Sequence, residues 1–259
     1  MFELIPTLIL LVVIGLGAGT LGSMLGVGGG IIMVPALTFL GISPSQTAST
    51  SLIAVTSTSM SSTVEYSRQK RIDYRLGILM AASAVPGAVV GALLSANITL
   101  EQFRLYFGLL LILVGIYILY KNSILRERRE GLRALNAYRL LGITSASFVA
   151  GVISSLFGVG GGTIFVPLML LVLGMGMHRA AATSQLTLVI ASAAGVATHI
   201  VLGHPDYYYA IVLSAGAFAG AQVGARLSKT AKDALLQRAL GGVLIAVGGK
   251  MIFDWLFTR

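Results

Sequence analysis

The sequence predicts an all-α polytopic membrane protein built from two inverted-topology repeats. Each repeat has about five hydrophobic segments, one of them a short helix after a Gly-rich break, giving 8–10 membrane segments in total. Three observations predict this. Of the 259 residues, 56% are hydrophobic and only 10% are charged, against roughly a quarter charged in an ordinary soluble domain; the mean hydropathy is +0.91. The apolar residues gather into stretches close to the ~20 residues a helix needs to cross hydrocarbon. The chain also repeats itself: Gly19–Leu37 and Gly151–Met169 agree at 10 of 19 positions at an offset of 132, and Asp73–Ser95 and Asp206–Ser228 agree at 12 of 23 at an offset of 133.

Such a composition excludes disorder, because the chain is apolar throughout, and it argues against a soluble enzyme. Cysteine is absent, which removes disulfides, thiolate metal sites and Cys nucleophiles. The net charge of +9 reads, in a chain this apolar, as basic cytoplasmic connections and not as a nucleic-acid surface. A lipid bilayer is the expected partner, no nucleic acid and no cofactor are expected, and a homo-oligomer is compatible with the sequence.

The elements follow in order. Residues 4–25 are apolar without a basic leader, so they read as a membrane segment and not as a cleaved signal. Gly26-Val27-Gly28-Gly29-Gly30 then makes helix costly, at ~1 kcal/mol per glycine relative to Ala. The apolar stretch 31–42, with Pro35 inside it, has about twelve residues. That length rises ~18 Å, short of ~30 Å of hydrocarbon. Non-helical backbone at membrane depth must be buried in protein or line a wet cavity, so a broken or re-entrant element is expected. Segment 45–66 has helical length but is polar: 13 of the 21 residues from Ser43 to Thr63 are Ser or Thr. Segments 76–95 and 105–120 complete a first repeat, 1–122, and residues 123–139 form a charged cytoplasmic linker. The second repeat, 140–259, runs through 140–157, the run Gly158–Gly162, the short 163–177 with Pro167, the polar 179–201, then 208–227 and 239–257. Asp73 and Asp206 stand at helix starts as N-caps. Gly87/Gly91 and Gly220/Gly224 have the spacing of close helix contacts.

Orientation comes from Lys and Arg. Segments 68–75, 121–139 and 226–238, with Arg179, hold 15 of the 18 basic residues. Placing them in the cytoplasm gives every connection a consistent side. The connection at 68–75 is then inside while its counterpart near 201–208 is outside, so the repeats have opposite orientations and both termini face outward. Inverted repeats are a transporter architecture.

A glycine run before a helix start leaves several N–H groups pointing one way, and the helix dipole adds partial positive charge there, worth ~0.3–1 kcal/mol. Such a site suits a small oxyanion. The candidate binding residues are Gly26, Gly28, Gly29 and Gly30 with Gly158, Gly160, Gly161 and Gly162, assisted by Thr50, Ser51, Thr183, Ser184 and Gln185 on the polar segments. The competing reading of the glycines is close helix packing, and of the hydroxyls, bonds between helices. His199 is a candidate proton carrier near the outer interface. His178 and Arg179 read as an anion attractor or as a positive-inside anchor. No P-loop or dinucleotide fingerprint occurs. No catalytic or metal-binding cluster is apparent, so no enzyme is expected.

The paired GVGGG-x-x-x-VP strings at Gly26–Pro35 and Gly158–Pro167, the Ser/Thr-rich segment after each, and the GA-x-x-GA segments resemble the TauE/SafE family, the sulfite exporter family of membrane permeases. The resemblance covers nearly the whole chain. It implies export of small sulfur-containing anions, sulfite or organosulfonates, across the cell membrane. The expected mechanism is alternating access around a midplane anion, with potential-driven uniport. The alternatives are an anion-selective channel or a proton- or sodium-coupled permease for another small organic anion.

Overall fold

The computed structural model describes residues 4–122 and 137–257, and these form ten helices without a strand. In chain order they are α1 (Leu4–Leu25), α2 (Gly30–Phe39), α3 (Pro44–Arg68), α4 (Tyr74–Ser95), α5 (Leu100–Asn122), α6 (Ala137–Phe157), α7 (Gly162–Leu171), α8 (Met177–Val201), α9 (Tyr207–Leu227) and α10 (Asp233–Phe257). Seven of them are long and apolar enough to cross a membrane: α1, α4, α5, α6, α8, α9 and α10. The 25-residue α3 has the length, but its hydroxyl content keeps it out of that set. Helices α2 and α7 have 10 residues each, a rise of ~15 Å. The linker expected at 123–139 lies outside the described residues except for its last three, which open α6.

Local chemistry explains the boundaries. Asp73 Oδ1 accepts from Leu76 N at 3.1 Å, and Asp206 Oδ1 accepts from Tyr208 N and Tyr209 N at 3.1 and 3.2 Å. Both expected caps are in place. Pro44 begins α3 at a position where its missing N–H has no helical partner. Helix α2 stops three residues earlier than 31–42 suggested: Leu40 N turns back to Ala36 O and Leu37 O, and Gly41 takes φ +78°.

The pairs Gly87/Gly91 and Gly220/Gly224 mark helix contacts, as expected. A Cβ on Gly87 or Gly91 would stand 2.1 or 2.2 Å from the carbonyl oxygens of Phe148 and Val152, so α4 lies parallel to and against α6. A Cβ on Gly220 or Gly224 would meet Leu16 O and Thr20 O, each at 2.1 Å, so α9 lies parallel to and against α1. The sequence equivalents α3 and α8 pack on each other and run antiparallel: Thr56 Oγ1 lies 2.9 Å from Ser192 Oγ, while Leu52 packs against Gly195. Helices α5 and α10 are also antiparallel, with Gly108 against Gly248 and Gly115 against Gly241. The most extensive helix packing therefore joins one half to the other.

Candidate functional site

The two glycine runs touch. A Cβ on Gly30 would lie 2.3 Å from Val159 O, and one on Gly162 would lie 2.5 Å from Gly26 O. Gly28 and Gly160 both face Val55 of α3 and Leu188 of α8, which lie one residue from the centres of those 25-residue helices. The breaks thus meet halfway along the membrane-length elements. Positive φ explains much of the glycine content: Gly26, Gly28, Gly29, Gly158 and Gly160 have φ between 72° and 87°, where side chains are disfavoured. Gly30 and Gly162 are required for a different reason, the close approach of the opposing backbone.

The break also sorts its amides. Val27 N and Gly28 N both donate to Gly22 O, at 2.8 and 3.1 Å, and Gly26 N donates to Ser23 O at 3.1 Å. Those three groups close α1. Ile32 N and Met33 N donate to Gly29 O, which starts α2; in the other copy Ile164 N and Phe165 N donate to Gly161 O. Gly30 and Ile31 of α2, and Gly162 and Thr163 of α7, are the first-turn positions whose N–H groups have no intrahelical acceptor, and all four residues are buried. Thr163 Oγ1 is buried without a hydrogen-bond partner, and so is Ser59 Oγ, which faces Gly28.

The side chains expected to assist an anion bond to backbone in this structure. Ser51 Oγ donates to Gly158 O at 2.8 Å and Ser184 Oγ to Gly26 O at 2.7 Å, so each polar helix holds the break of the other half. Their single hydroxyl protons are committed there. Thr50 Oγ1 accepts from Asp206 N at 3.2 Å and Thr183 Oγ1 from Asp73 N at 3.0 Å. Gln185 Nε2 donates to Gly22 O at 3.0 Å, while its Oε1 is buried without a partner. Other hydroxyls of α3 join helices too: Ser57 Oγ donates to Ser214 O and Ser61 Oγ to Phe218 O on α9. His178 Nε2 lies 2.8 Å from Ser228 O, and Arg179 pairs with Asp73 at 3.8 Å; both stand at the end of α8 that the basic residues mark as cytoplasmic. Sequence reasoning passed over Thr163 and Ser59. Thr163 carried a signal, being the hydroxyl residue that follows the second glycine run; Ser59 is one hydroxyl among many on α3.

The sequence pattern of the family described as sulfite exporter TauE/SafE matches residues 11–251. The probable membrane transporter protein YunE of Bacillus subtilis is 32% identical, with 96% of this chain and 99% of the relative covered. The probable membrane transporter protein YfcA of Escherichia coli K12 is 25% identical over 92% of this chain and 86% of its own. YdhB of Bacillus subtilis, also a probable membrane transporter protein, is 29% identical over 86% of this chain and 91% of its own. No solved structure matches the chain.

Proposed function

The chain belongs to the sulfite exporter TauE/SafE family and is a multi-pass membrane transporter, and from that premise we propose that it exports small sulfur-containing anions, sulfite or an organosulfonate, by alternating access about the two glycine runs. One observation carries the reading. The starting ends of α2 and α7 meet midway along the membrane-length helices and bring the N–H groups of Gly30, Ile31, Gly162 and Thr163, with the unpartnered Thr163 hydroxyl, into one buried region. Donors without fixed charge, backed by two helix dipoles, suit an anion that must be bound and then released.

The antiparallel packing of the equivalent helices α3 and α8, and of α5 and α10, supports an inverted-repeat arrangement in the bilayer. Rocking one half against the other would expose the shared region to each side in turn. An interior negative by 100 mV drives each negative charge outward with ~2.3 kcal/mol, so export needs no coupled ion.

The test is efflux of labelled sulfite from liposomes holding the purified protein, at fixed pH and imposed potential. Saturable efflux that accelerates with a negative interior, and that shows counterflow, is expected. Efflux that ignores potential and requires a pH gradient would overturn uniport, and unitary current steps would overturn the carrier in favour of a channel.

A further inference from the structure

His199 lies in the last turn of α8, fully buried, and His204 lies half-buried in the connection to α9. Their Nδ1 atoms are 3.0 Å apart, and His199 Nε2 is 3.0 Å from Ser155 O of α6. The carbonyl is an acceptor only, so Nε2 of His199 carries a hydrogen. In the neutral ring Nδ1 is then a lone pair, and the hydrogen between the rings belongs to His204. The open position of the pair is His204 Nε2. One added proton there leaves both hydrogen bonds intact. A second would have to enter at His199 Nδ1, set two N–H groups against each other and part the rings.

The other half uses different chemistry at the equivalent place. Counting back by the repeat offset, His199 and His204 correspond to Tyr66 and Arg71, and Ser155 to Ser23. Tyr66 OH donates to Ser23 O at 2.8 Å, just as His199 Nε2 donates to Ser155 O. The last turn of α1 is therefore held at one end of the molecule by a phenol, which keeps its proton to about pH 10 in water. The last turn of α6 is held at the opposite end by an imidazole, a group that in water titrates near neutrality. The Lys and Arg distribution places the imidazole end outside.

We propose that His199 and His204 form a proton-binding site at the external end of α8, and that uptake of the second proton parts the two rings, admits water to the end of α6 beside them and favours the outward-open form. This rests on the alternating-access reading above. Few charges compete at the site. The N-terminal half of α3, the outer halves of α1 and α4, the last turns of α6 and all of α7 contain no charged residue. Helix α9 brings its cap Asp206, whose Oδ1 is bonded to its own first turn, and Tyr207–Tyr209. On α10, Lys250 and Asp254 pair with each other. Burial holds His204 below the usual histidine range, so a form in which water reaches the pair binds the proton more tightly, and protons favour that form.

The absence of cysteine makes the test direct. Ser154→Cys puts a thiol in the buried last turn of α6, and Asn97→Cys puts one in an exposed outer connection as the reference for thiol ionisation. Labelling with a membrane-impermeant maleimide is read in vesicles as the ratio of the two rates. The ratio should rise about ten-fold between about pH 7.5 and about pH 5.5, and the rise should vanish in His204→Gln. Copying the other half, His199→Tyr with His204→Arg, should keep the ratio low at both pH values. An unchanged ratio in the parent, or a rise that survives His204→Gln, overturns the proposal. Because only three histidines are present, ring NMR of the full chain is an independent check: His199→Gln should move the titration of His204, and independent titration overturns the pair. Missing sulfite efflux with pH-dependent labelling intact would defeat the transport reading, whereas efflux with pH-independent labelling would defeat this one.

Discussion

Ser184 on α8 donates its hydroxyl to the carbonyl of Gly26 at the end of α1, at 2.7 Å, and so secures the glycine break of one half from the polar helix of the other. Ser51 makes the equivalent bond to Gly158. Replacing Ser184 by Ala leaves a buried carbonyl unpaired, which costs about 1–2 kcal/mol. Ser51→Ala should cost the same, because the environment is repeated. The expected result is a matched drop in thermal midpoint in detergent for the two variants; a large inequality would show that the halves are not equivalent here.

Gly30→Ala introduces a methyl 2.3 Å from Val159 O. Backbone cannot yield as a flexible side chain can, so a loss at or above about 3 kcal/mol is expected, read as poor recovery of folded protein. Gly17→Ala is the control. It meets nothing within 4 Å on the exposed side of α1, and helix propensity should make it neutral or stabilising by up to ~1 kcal/mol.

Thr163→Val separates binding from stability. The hydroxyl is buried without a partner, so its removal should leave stability unchanged or raise it by about 1 kcal/mol. If Thr163 Oγ1 donates to the anion, the half-saturating sulfite concentration should rise about ten-fold, the equivalent of ~1.4 kcal/mol. Unaltered sulfite affinity would remove Thr163 from the site.

Acid should weaken the fold through His204. Burial depresses its pKa, and a base depressed in the folded state adds stability only while neutral. That contribution is complete above the unfolded value near ~6.5 and is lost as pH falls through the lower folded value. The thermal midpoint should decline on acidification below about pH 6.5, and His204→Gln should flatten that decline.

Much of this molecule was legible in its residues. Helix-length apolar stretches, the doubled GVGGG strings, the Asp73 and Asp206 caps and the small-residue spacing at Gly87/Gly91 and Gly220/Gly224 are local or periodic signals. The bilayer makes them reliable, because it forces the backbone to satisfy itself within each segment. The roles of Ser51, Ser184 and Gln185 were not legible. A hydroxyl or amide in an apolar segment has the same sequence whether it faces a ligand or a carbonyl 107 or 158 residues away. Only the packing of α3 and α8 across the two halves decided that these groups hold the breaks closed. The same packing left Thr163 and Ser59 without partners and set His199 against His204, since hydrogen bonds between distant segments depend on how the halves fit and not on the spacing along either one.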